Sequence, residues 1–439
     1  MVPAKTFYDS LPLWAQTTAV NAASLVNYRK RYGRQFHRFL TELEANERKS
    51  LDQLLAEQQK AVQQLLQYAV RYVPYYRELK LPPDRLSDWP ILDKQTVAAA
   101  PEKLLSDEFA RHRLMALQTS GTTGTPLTVR FTTACQELEM AFRWRHRSWG
   151  GVPFLSRSAY LSGHPVVPAE QTEPPFWRVD TVERRLLCSS YHFSRQNMPE
   201  YAEALARFAP DFLHGYPSSL YVLARHVLEH NLHSLRPRAV FTASETLLEF
   251  QREAIERAFA APVFNWYGTT EMTCNIVECA FGSLHCRTDY GALELLDGGV
   301  MVATGLLNPA MPLIRYRAGD VAMARAGTCE CGCAFPLIER IEGRIEDYIR
   351  TPDGRLVGRL DHIFKGVAHV REAQLVQHHV EELVLRIVRV DEFNADDERI
   401  ILANARERLG RALQLRCEYV DEIERFAGGK FRFVVSEIT

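Results

Sequence analysis

The residues best able to do chemistry are gathered in a few short stretches. Thr119-Ser120-Gly121-Thr122-Thr123-Gly124-Thr125-Pro126 interleaves hydroxyls with glycines, after apolar Leu114-Met115-Ala116-Leu117 and before strand-like Leu127-Thr128-Val129. Glycines admit close backbone approach, and successive N–H groups with hydroxyls can cradle an anion. The stretch reads as a phosphate-binding loop between two strands, although an ordinary Gly/Thr-rich turn has the same composition. It is no Walker loop, because Thr125 follows the second glycine. Tyr267-Gly268-Thr269-Thr270-Glu271 sets an aromatic, a tight turn, two hydroxyls and a carboxylate side by side. An aromatic can stack on a base, and a carboxylate near phosphates can hold Mg²⁺; a strand-ending turn with a capping Thr and Glu fits equally well. Arg315-Tyr316-Arg317-Ala318-Gly319-Asp320 offers an aspartate suited to ribose hydroxyls, or simply a Gly-Asp hairpin turn. Gly428-Gly429-Lys430 puts a lysine in a glycine turn, where a solvated surface role is the ordinary one.

Six of the nine cysteines fall between positions 274 and 333. Cys329-Glu330-Cys331-Gly332-Cys333, with Cys279 and His285, could form a tetrahedral zinc site, although the spacing is not that of a standard finger. Reduced thiols in a β-rich region are the alternative. The odd count and the absence of an export signal argue against a disulfide framework and for a cytoplasmic location.

These groups need elements to hold them. Residues 1–100 read as a helical lead-in, with Leu51, Leu54, Leu55, Val62, Leu65, Leu66, Ala69 and Val70 at helical period and Pro74 closing the run. A helix over 132–149, capped by Thr132 or Thr133, carries Arg143, Arg145, His146 and Arg147, which read as a solvated basic face. Strands ending at His214-Gly215-Tyr216, at Ser244-Glu245 and at Gly268 then alternate with helices, the pattern of parallel α/β structure, whose ligands sit beyond the carboxyl ends of strands. From about 290 to 342 short β segments follow, including Leu313–Arg317 and Asp320–Met323. Gly343-Arg344 opens a charged stretch that reads as a hinge, and the rest reads as a small α+β unit. With 439 residues there is room for two or three domains; 46% hydrophobic and 24% charged residues describe a soluble globular protein. A net charge of −1 implies no general attraction to nucleic acid or anionic membrane, and no apolar run reaches transmembrane length.

Taken in order, these pieces resemble the adenylate-forming superfamily of acyl- and aryl-CoA ligases, in particular the phenylacetate–CoA ligase branch with its CapK-like and deazaflavin-coenzyme relatives. The resemblance also rests on Val73-Pro74-Tyr75-Tyr76-Arg77, Pro90-Ile91-Leu92-Asp93-Lys94 and Gly343–Ile349. It implies a large N-terminal adenylate-forming domain over 1–342, with layered α/β sheets and a β-rich portion, and a small mobile α+β C-terminal domain over 343–439. It implies an AMP-forming carboxylate ligase: a carboxylate attacks the α-phosphate of ATP, pyrophosphate leaves, and a nucleophile displaces AMP. Coenzyme A is the default acceptor; an amine, a carrier-protein thiol, or AMP transfer to a coenzyme hydroxyl are the alternatives, and a homodimer is compatible with the family.

By the same resemblance Ser120, Gly121, Thr122, Thr123 and Gly124 hold the β/γ phosphates. Ser244, Glu245, Tyr267, Gly268 and Thr269 border the nucleotide. Thr270 touches the α-phosphate, Glu271 holds Mg²⁺, and Asp320 binds ribose with help from Arg344. Lys430 bridges carboxylate and α-phosphate, and Glu346 is the hinge. The acid pocket is expected around His164, His214, Gly215 and Tyr216, among neighbours suited to an aryl or medium apolar acid. Zinc is expected at Cys279, His285, Cys329 and Cys331. Thr125 departs from the lysine usual in the loop, and Glu346 from the usual aspartate.

Overall fold

The structure is a computed structural model. It describes residues 7–438 except 119–126, 163–165, 169–170, 194–195, 233, 345–348, 353–355, 358–359, 365–366, 368, 411 and 426–430. The lead-in is helical: α1 (Leu13–Arg31), α2 (Phe36–Asn46), α3 (Leu51–Tyr72), α4 (Pro74–Leu79) and α5 (Lys94–Ala99). Ser50 caps α3 in a capping box with Gln53. Pro74 ends one helix and starts the next, since a proline at the first helical position loses no hydrogen bond. The lead-in is tied to the body by buried polar contacts. The Tyr76 hydroxyl donates to the Pro312 carbonyl and accepts from the Ile314 N–H. Leu92 exchanges backbone hydrogen bonds with Arg315 and Arg317.

Strands β1 (Met115–Gln118) and β2 (Thr128–Phe131) pair antiparallel and flank the expected phosphate loop, which itself lies outside the described residues. Helix α6 (Thr133–Trp149) follows, its first turn closed by the Thr132 hydroxyl accepting from the Cys135 N–H.

A twelve-stranded sheet forms the frame. Its strands are β3 (Ser158–Ser162), β4 (Trp177–Asp180), β5 (Arg185–Ser189), β6 (Phe212–Gly215), β7 (Ala239–Ala243), β8 (Val263–Gly268), β9 (Asn275–Glu278), β10 (Leu284–Cys286), β11 (Gly291–Leu295), β12 (Val300–Gly305), β13 (Tyr316–Arg325) and β14 (Leu337–Arg344). Their order is β11-β12-β13-β14-β10-β9-β8-β7-β6-β3-β5-β4. The run β5-β3-β6-β7-β8 is parallel, and β9 to β14 are antiparallel. Helices α7 (Met198–Phe208), α8 (Pro217–Glu229) and α9 (Glu249–Phe259) cover one face with Leu220, Leu223, Ile255 and Phe259. Helix α6 covers the other through Phe142, Trp144 and Met140, against Phe212, Phe241 and Phe264. Burial on both faces explains the near-continuous apolar run at 239–243, while β8 is buried at Val263 and Phe264 and half-buried from Asn265 to Tyr267.

Two expectations are corrected here. The segments 313–317 and 320–323 are not separate strands flanking a hairpin. Tyr316–Arg325 is one strand, bulged where Gly319 takes φ +85° and the pairing with β12 shifts between Val300 and Val302. The bulge turns Asp320 without reversing the chain. Likewise Gly343 and Arg344 still belong to β14, paired with Val321 and Asp320.

After residue 348 a separate cluster forms around Leu375, Leu383, Leu385, Ile387, Ile401 and Leu409. Its sheet, β19-β18-β17-β20, comprises β17 (Val370–His379), β18 (Glu382–Arg389), β19 (Gln414–Tyr419) and β20 (Val434–Ser436), backed by α10 (Ala395–Leu409). The short pair β15 (Ile349–Arg350) and β16 (Leu356–Val357) precedes it.

Candidate active site

The carboxyl ends of β6, β7 and β8 meet the bulge of β13. Beyond β8 the chain turns at Gly268, where an added Cβ would lie 2.8 Å from the Trp266 indole nitrogen. The following segment crosses a gap cleared by two glycines. Gly291 and Gly305 face each other across β11 and β12; a Cβ on the first would meet the Thr273 carbonyl at 2.1 Å, and on the second the Met272 carbonyl at 2.6 Å. Only glycine lets Met272-Thr273 lie directly on the two strands, and that contact fixes Thr270 and Glu271. Tyr316 then donates to Glu271 Oε1 at 2.9 Å, and Tyr267 donates to Asp320 Oδ2 at 2.6 Å. Burial, then the neighbouring Asp320 charge, pushes the Tyr267 hydroxyl well above the ordinary tyrosine range, so it stays a donor. The structure thus brings Tyr267, Thr269, Thr270, Glu271 and Asp320 to one edge, with Arg344 opposite Asp320 in the ladder. Glu271 Oε2 carries no hydrogen bond among the described residues, which suits a carboxylate that must reach a cation.

Ser244 is exposed, with φ +73°, just past β7. Glu245 turns instead toward the C-terminal unit. Oε2 accepts the Ser218 N–H at 3.1 Å, and Oε1 accepts the Phe431 N–H at 2.6 Å. Burial outweighs these bonds and raises its carboxyl above the usual range.

Behind that edge lies a cavity of about 270 Å³. Thr269, Thr270 and Ser244 line it on the strand-end side, and His214 and Ala243 contribute from β6 and β7. Gly215 and Tyr216 are not on it: a Cβ at Gly215 would meet the Leu161 carbonyl at 2.4 Å, so this glycine serves the packing of β6 on β3. The remaining wall is α6, through Gln136, Glu139, Arg143 and Arg147. These positions recur every three or four residues and share one helical face.

The expected solvated basic face of α6 is therefore a correction. Arg145, His146 and Arg147 are all buried, because the helix is covered by the sheet on one side and by α1 and α2 on the other. Glu137 accepts the Gln35 and Phe36 N–H groups at the start of α2. Arg145 donates to the Leu43 carbonyl and to Asp289, whose carboxyl is held down at about 2 by Arg145 and Arg287 against the opposing effect of burial. The His146 imidazole faces the Glu278 carbonyl from Nε2, and burial lowers it to about 3, so it is neutral. Arg147 donates to the Tyr160 hydroxyl at 2.6 Å. Arg143 Nε donates to Glu139 Oε1 at 3.0 Å, while Tyr290 donates to Glu139 Oε2 at 2.8 Å. Aromatic and apolar neighbours of the expected kind are present in Leu117, Phe241, Trp266 and Met272, but the α6 wall that faces them is charged and polar. Gln136, Glu139, Arg143 and Tyr290 were missed as site residues; the spacing of 3 and 4 between Gln136, Glu139 and Arg143 was the available signal on the helix, and Tyr290 had none.

The cysteine expectation converges in space. The ligand atoms of Cys279, His285, Cys329 and Cys331 all lie within 4.8 Å of one another. The Cys279 and Cys329 sulfurs are 3.6 Å apart, and the Cys331 sulfur is 3.3 Å from His285 Nε2. Tetrahedral Zn–S bonds of about 2.3 Å give sulfur–sulfur edges of about 3.8 Å, so the cage matches zinc. Burial holds the His285 imidazole at about 4, the neutral form a metal needs. Cys274 lies elsewhere, packed with Cys286 beside Ile276 and Met301. Ser120, Gly121, Thr122, Thr123, Gly124, His164, Glu346 and Lys430 lie outside the described residues, as does the Arg344 side chain. No described helix is long and apolar enough to cross a membrane.

Comparisons with known proteins bear on the fold. Residues 349–437 match the CapK C-terminal domain family. The chain is similar to protein CapK of Staphylococcus aureus, 24% identical over 98% of this chain and 99% of that protein. It superposes on a 2-hydroxyisobutyryl-CoA ligase in the postadenylation state with R3-HIB-AMP, with TM-score 0.68 and 18% identity over 89% of this chain and 91% of that one. The same ligase in the thioesterification state with 2-HIB-AMP and CoA gives TM-score 0.54 and 19% identity over equal shares. The chain therefore shares the fold of this CoA ligase over most of its length, and its C-terminal unit matches the CapK C-terminal domain family.

Proposed function

We propose that this protein activates a carboxylic acid as its acyl-adenylate, consuming ATP and releasing pyrophosphate, and then passes the acyl group to a nucleophile, with the CoA thiol as default acceptor. The observation that carries the reading is the paired arrangement Tyr267–Asp320 and Tyr316–Glu271 at the edge of the acid cavity. A phenol held against Asp320 leaves a flat aromatic beside a ribose-binding carboxylate, and Glu271 is braced for Mg²⁺. Mg²⁺ bound there would supply charge neutralisation at the phosphates. The chain's own residues do the rest. Ser120 to Gly124 contact the β/γ phosphates, Thr270 contacts the α-phosphate, and Ser244, Gly268 and Thr269 border the nucleotide.

Bringing an anionic carboxylate onto an anionic phosphate requires fixed positive charge in a site sheltered from water. Lys430 supplies it, one residue before Phe431, whose N–H donates to Glu245. Glu245 is thereby better suited to docking the C-terminal unit than to contacting adenine. Zinc at Cys279, His285, Cys329 and Cys331 is structural in this reading: four protein ligands leave no open position. The large unit of 1–342 and the small unit of 343–439 rotate about Glu346 between the two half-reactions, and the protein works in the cytoplasm.

ATP–pyrophosphate exchange across a panel of acids tests the first step. Acid-dependent exchange supports it; exchange that survives Lys430→Ala unchanged refutes the mechanism. Product analysis identifies the acceptor. Free AMP with a CoA thioester, an amide or a loaded carrier protein means ligation, and AMP retained on a coenzyme hydroxyl means transfer. Zinc measured on the same sample should approach one per chain and fall well below that in Cys331→Ser.

A further inference from the structure

The charge balance of the cavity narrows the acid. On the α6 wall the positive groups are Arg143 and Arg147 and the negative group is Glu139. Both Glu139 oxygens are engaged, one by Arg143 Nε and one by the Tyr290 hydroxyl, so Glu139 orients Arg143 and has no oxygen left over as a second recognition element. Arg143 spends only Nε in that contact. Its two terminal nitrogens have no hydrogen-bond partner among the described residues, and its side chain is 41% exposed while lining the cavity. Trp266 lies under its guanidinium at 5.6 Å. Arg147 has no carboxylate within ion-pair distance among the described residues; its partners are the Tyr160 hydroxyl and the faces of Trp144 and Phe212 at 4.6 and 5.1 Å. His146 adds no charge, being neutral. The wall therefore carries one net positive charge in a largely desolvated place, with two planar donors of Arg143 left to bind. A guanidinium fork of this kind matches a carboxylate.

Resting on the adenylation reading, we propose that the acid carries a second carboxylate, bound by the Arg143 fork with Arg147 behind it, while the first carboxylate meets ATP at the Thr270 edge. A cavity of about 270 Å³ is at the small end for a ligand site. It suits a short dicarboxylic acid and leaves little room for a long acyl chain. Arg143 is half-exposed, but Arg147 behind it is buried, so a methyl group in place of the far carboxylate would leave the wall's net positive charge without a partner and the neutral isostere should bind less well.

The test is ATP–pyrophosphate exchange with dicarboxylic acids of three to six carbons, each paired with the monocarboxylic acid in which the far carboxylate is replaced by methyl. The wild-type protein should favour the best dicarboxylate over its isostere by about 10-fold in kcat/KM, as expected for a charge pair on a half-exposed arginine backed by a buried one. In Arg143→Gln that ratio should collapse to about threefold or less. Glu139→Gln/Arg143→Gln, which removes both charges of the pair together and so avoids an uncompensated carboxylate, should show the same collapse. A wild-type preference for the neutral isostere overturns the proposal while leaving adenylation intact. So does an equal loss for both acids in Arg143→Gln, because that would put Arg143 on the reacting carboxylate or the phosphates. Failure of exchange with every acid, with no dicarboxylate binding by calorimetry, overturns both readings.

Discussion

The proposed nucleotide edge and the proposed acid cavity share a border at Ser244, Thr269 and Thr270, yet they are built in different ways. The edge is made of strand exits: Gly268 to Glu271 beyond β8, Ser244 beyond β7, and Asp320 at a bulge in β13. Its polar groups follow one another along short stretches of chain and brace one another through Tyr267 and Tyr316. The cavity wall is one face of a helix, and its polar groups are held by residues distant in sequence, such as Tyr160, Trp266 and Tyr290. The difference teaches that an edge built from turns suits a constant ligand such as a nucleotide. A wall built from alternate turns of one helix can change its chemistry by single substitutions without disturbing the frame.

The sharpest way to break this contrast is to attack the half of α6 that does not face the cavity. Arg145→Leu should leave Asp289 with Asn46 and the more distant Arg287 alone, and destabilise the protein by about 2–4 kcal/mol in urea unfolding, far more than loss of an exposed arginine would. If the loss is within a few tenths of a kcal/mol, α6 is not the buried strut described above. Next in size, Lys430→Ala should lower exchange by about 10²–10³-fold for all acids alike, because it serves the shared chemistry and not the choice of acid. A loss confined to some acids would merge the two regions into one.

Acid pH probes the wall through His146. Its folded pKa, about 3, lies below its unfolded value, so the unfolded chain takes up the proton first. The stability this group confers is complete above about pH 6.5 and is lost progressively as pH falls toward 3, on the order of 3 kcal/mol by pH 4. His146→Gln should flatten that part of the pH–stability curve measured by chemical unfolding. The smallest effect is expected at the join between the units. Glu245→Gln keeps the shape but weakens a charge-assisted acceptor, so the Phe431 amide should exchange with deuterium about tenfold faster. Unchanged exchange there would mean that Glu245 does not dock the C-terminal unit.

Much of the frame was legible because it depends on local pattern. Alternating apolar runs and helices over 198–268 marked β6, α8, β7, α9 and β8 close to their observed bounds, and Thr132 was a readable cap. Tyr267 to Glu271 could be recognised as one unit because its residues are adjacent in sequence. The convergence of Cys279, His285, Cys329 and Cys331 was expected from the family resemblance, whereas their spacing alone left Cys333 and a set of reduced thiols open. Strands β4, β5, β9, β10 and β14 were not picked out. They are short, and several are buried on both faces, so they show no clean alternation.

Residue type and order were thus sufficient for the period of each helix and strand and for the turn chemistry at strand exits, because those follow from forces acting over a few residues. They were not sufficient for the burial of Arg145, His146 and Arg147. A charged helical face looks the same whether water or α2 lies against it, and α2 is some hundred residues away. Nor did they foretell the facing pair Gly291 and Gly305, which avoid a clash with Thr273 and Met272 that would exist only once β11 and β12 are aligned. The placement of Glu245 against Phe431 is of the same kind. Packing between distant segments sets the dielectric around a charge and the space around a backbone, and in this protein those two quantities decide what the acid cavity can bind.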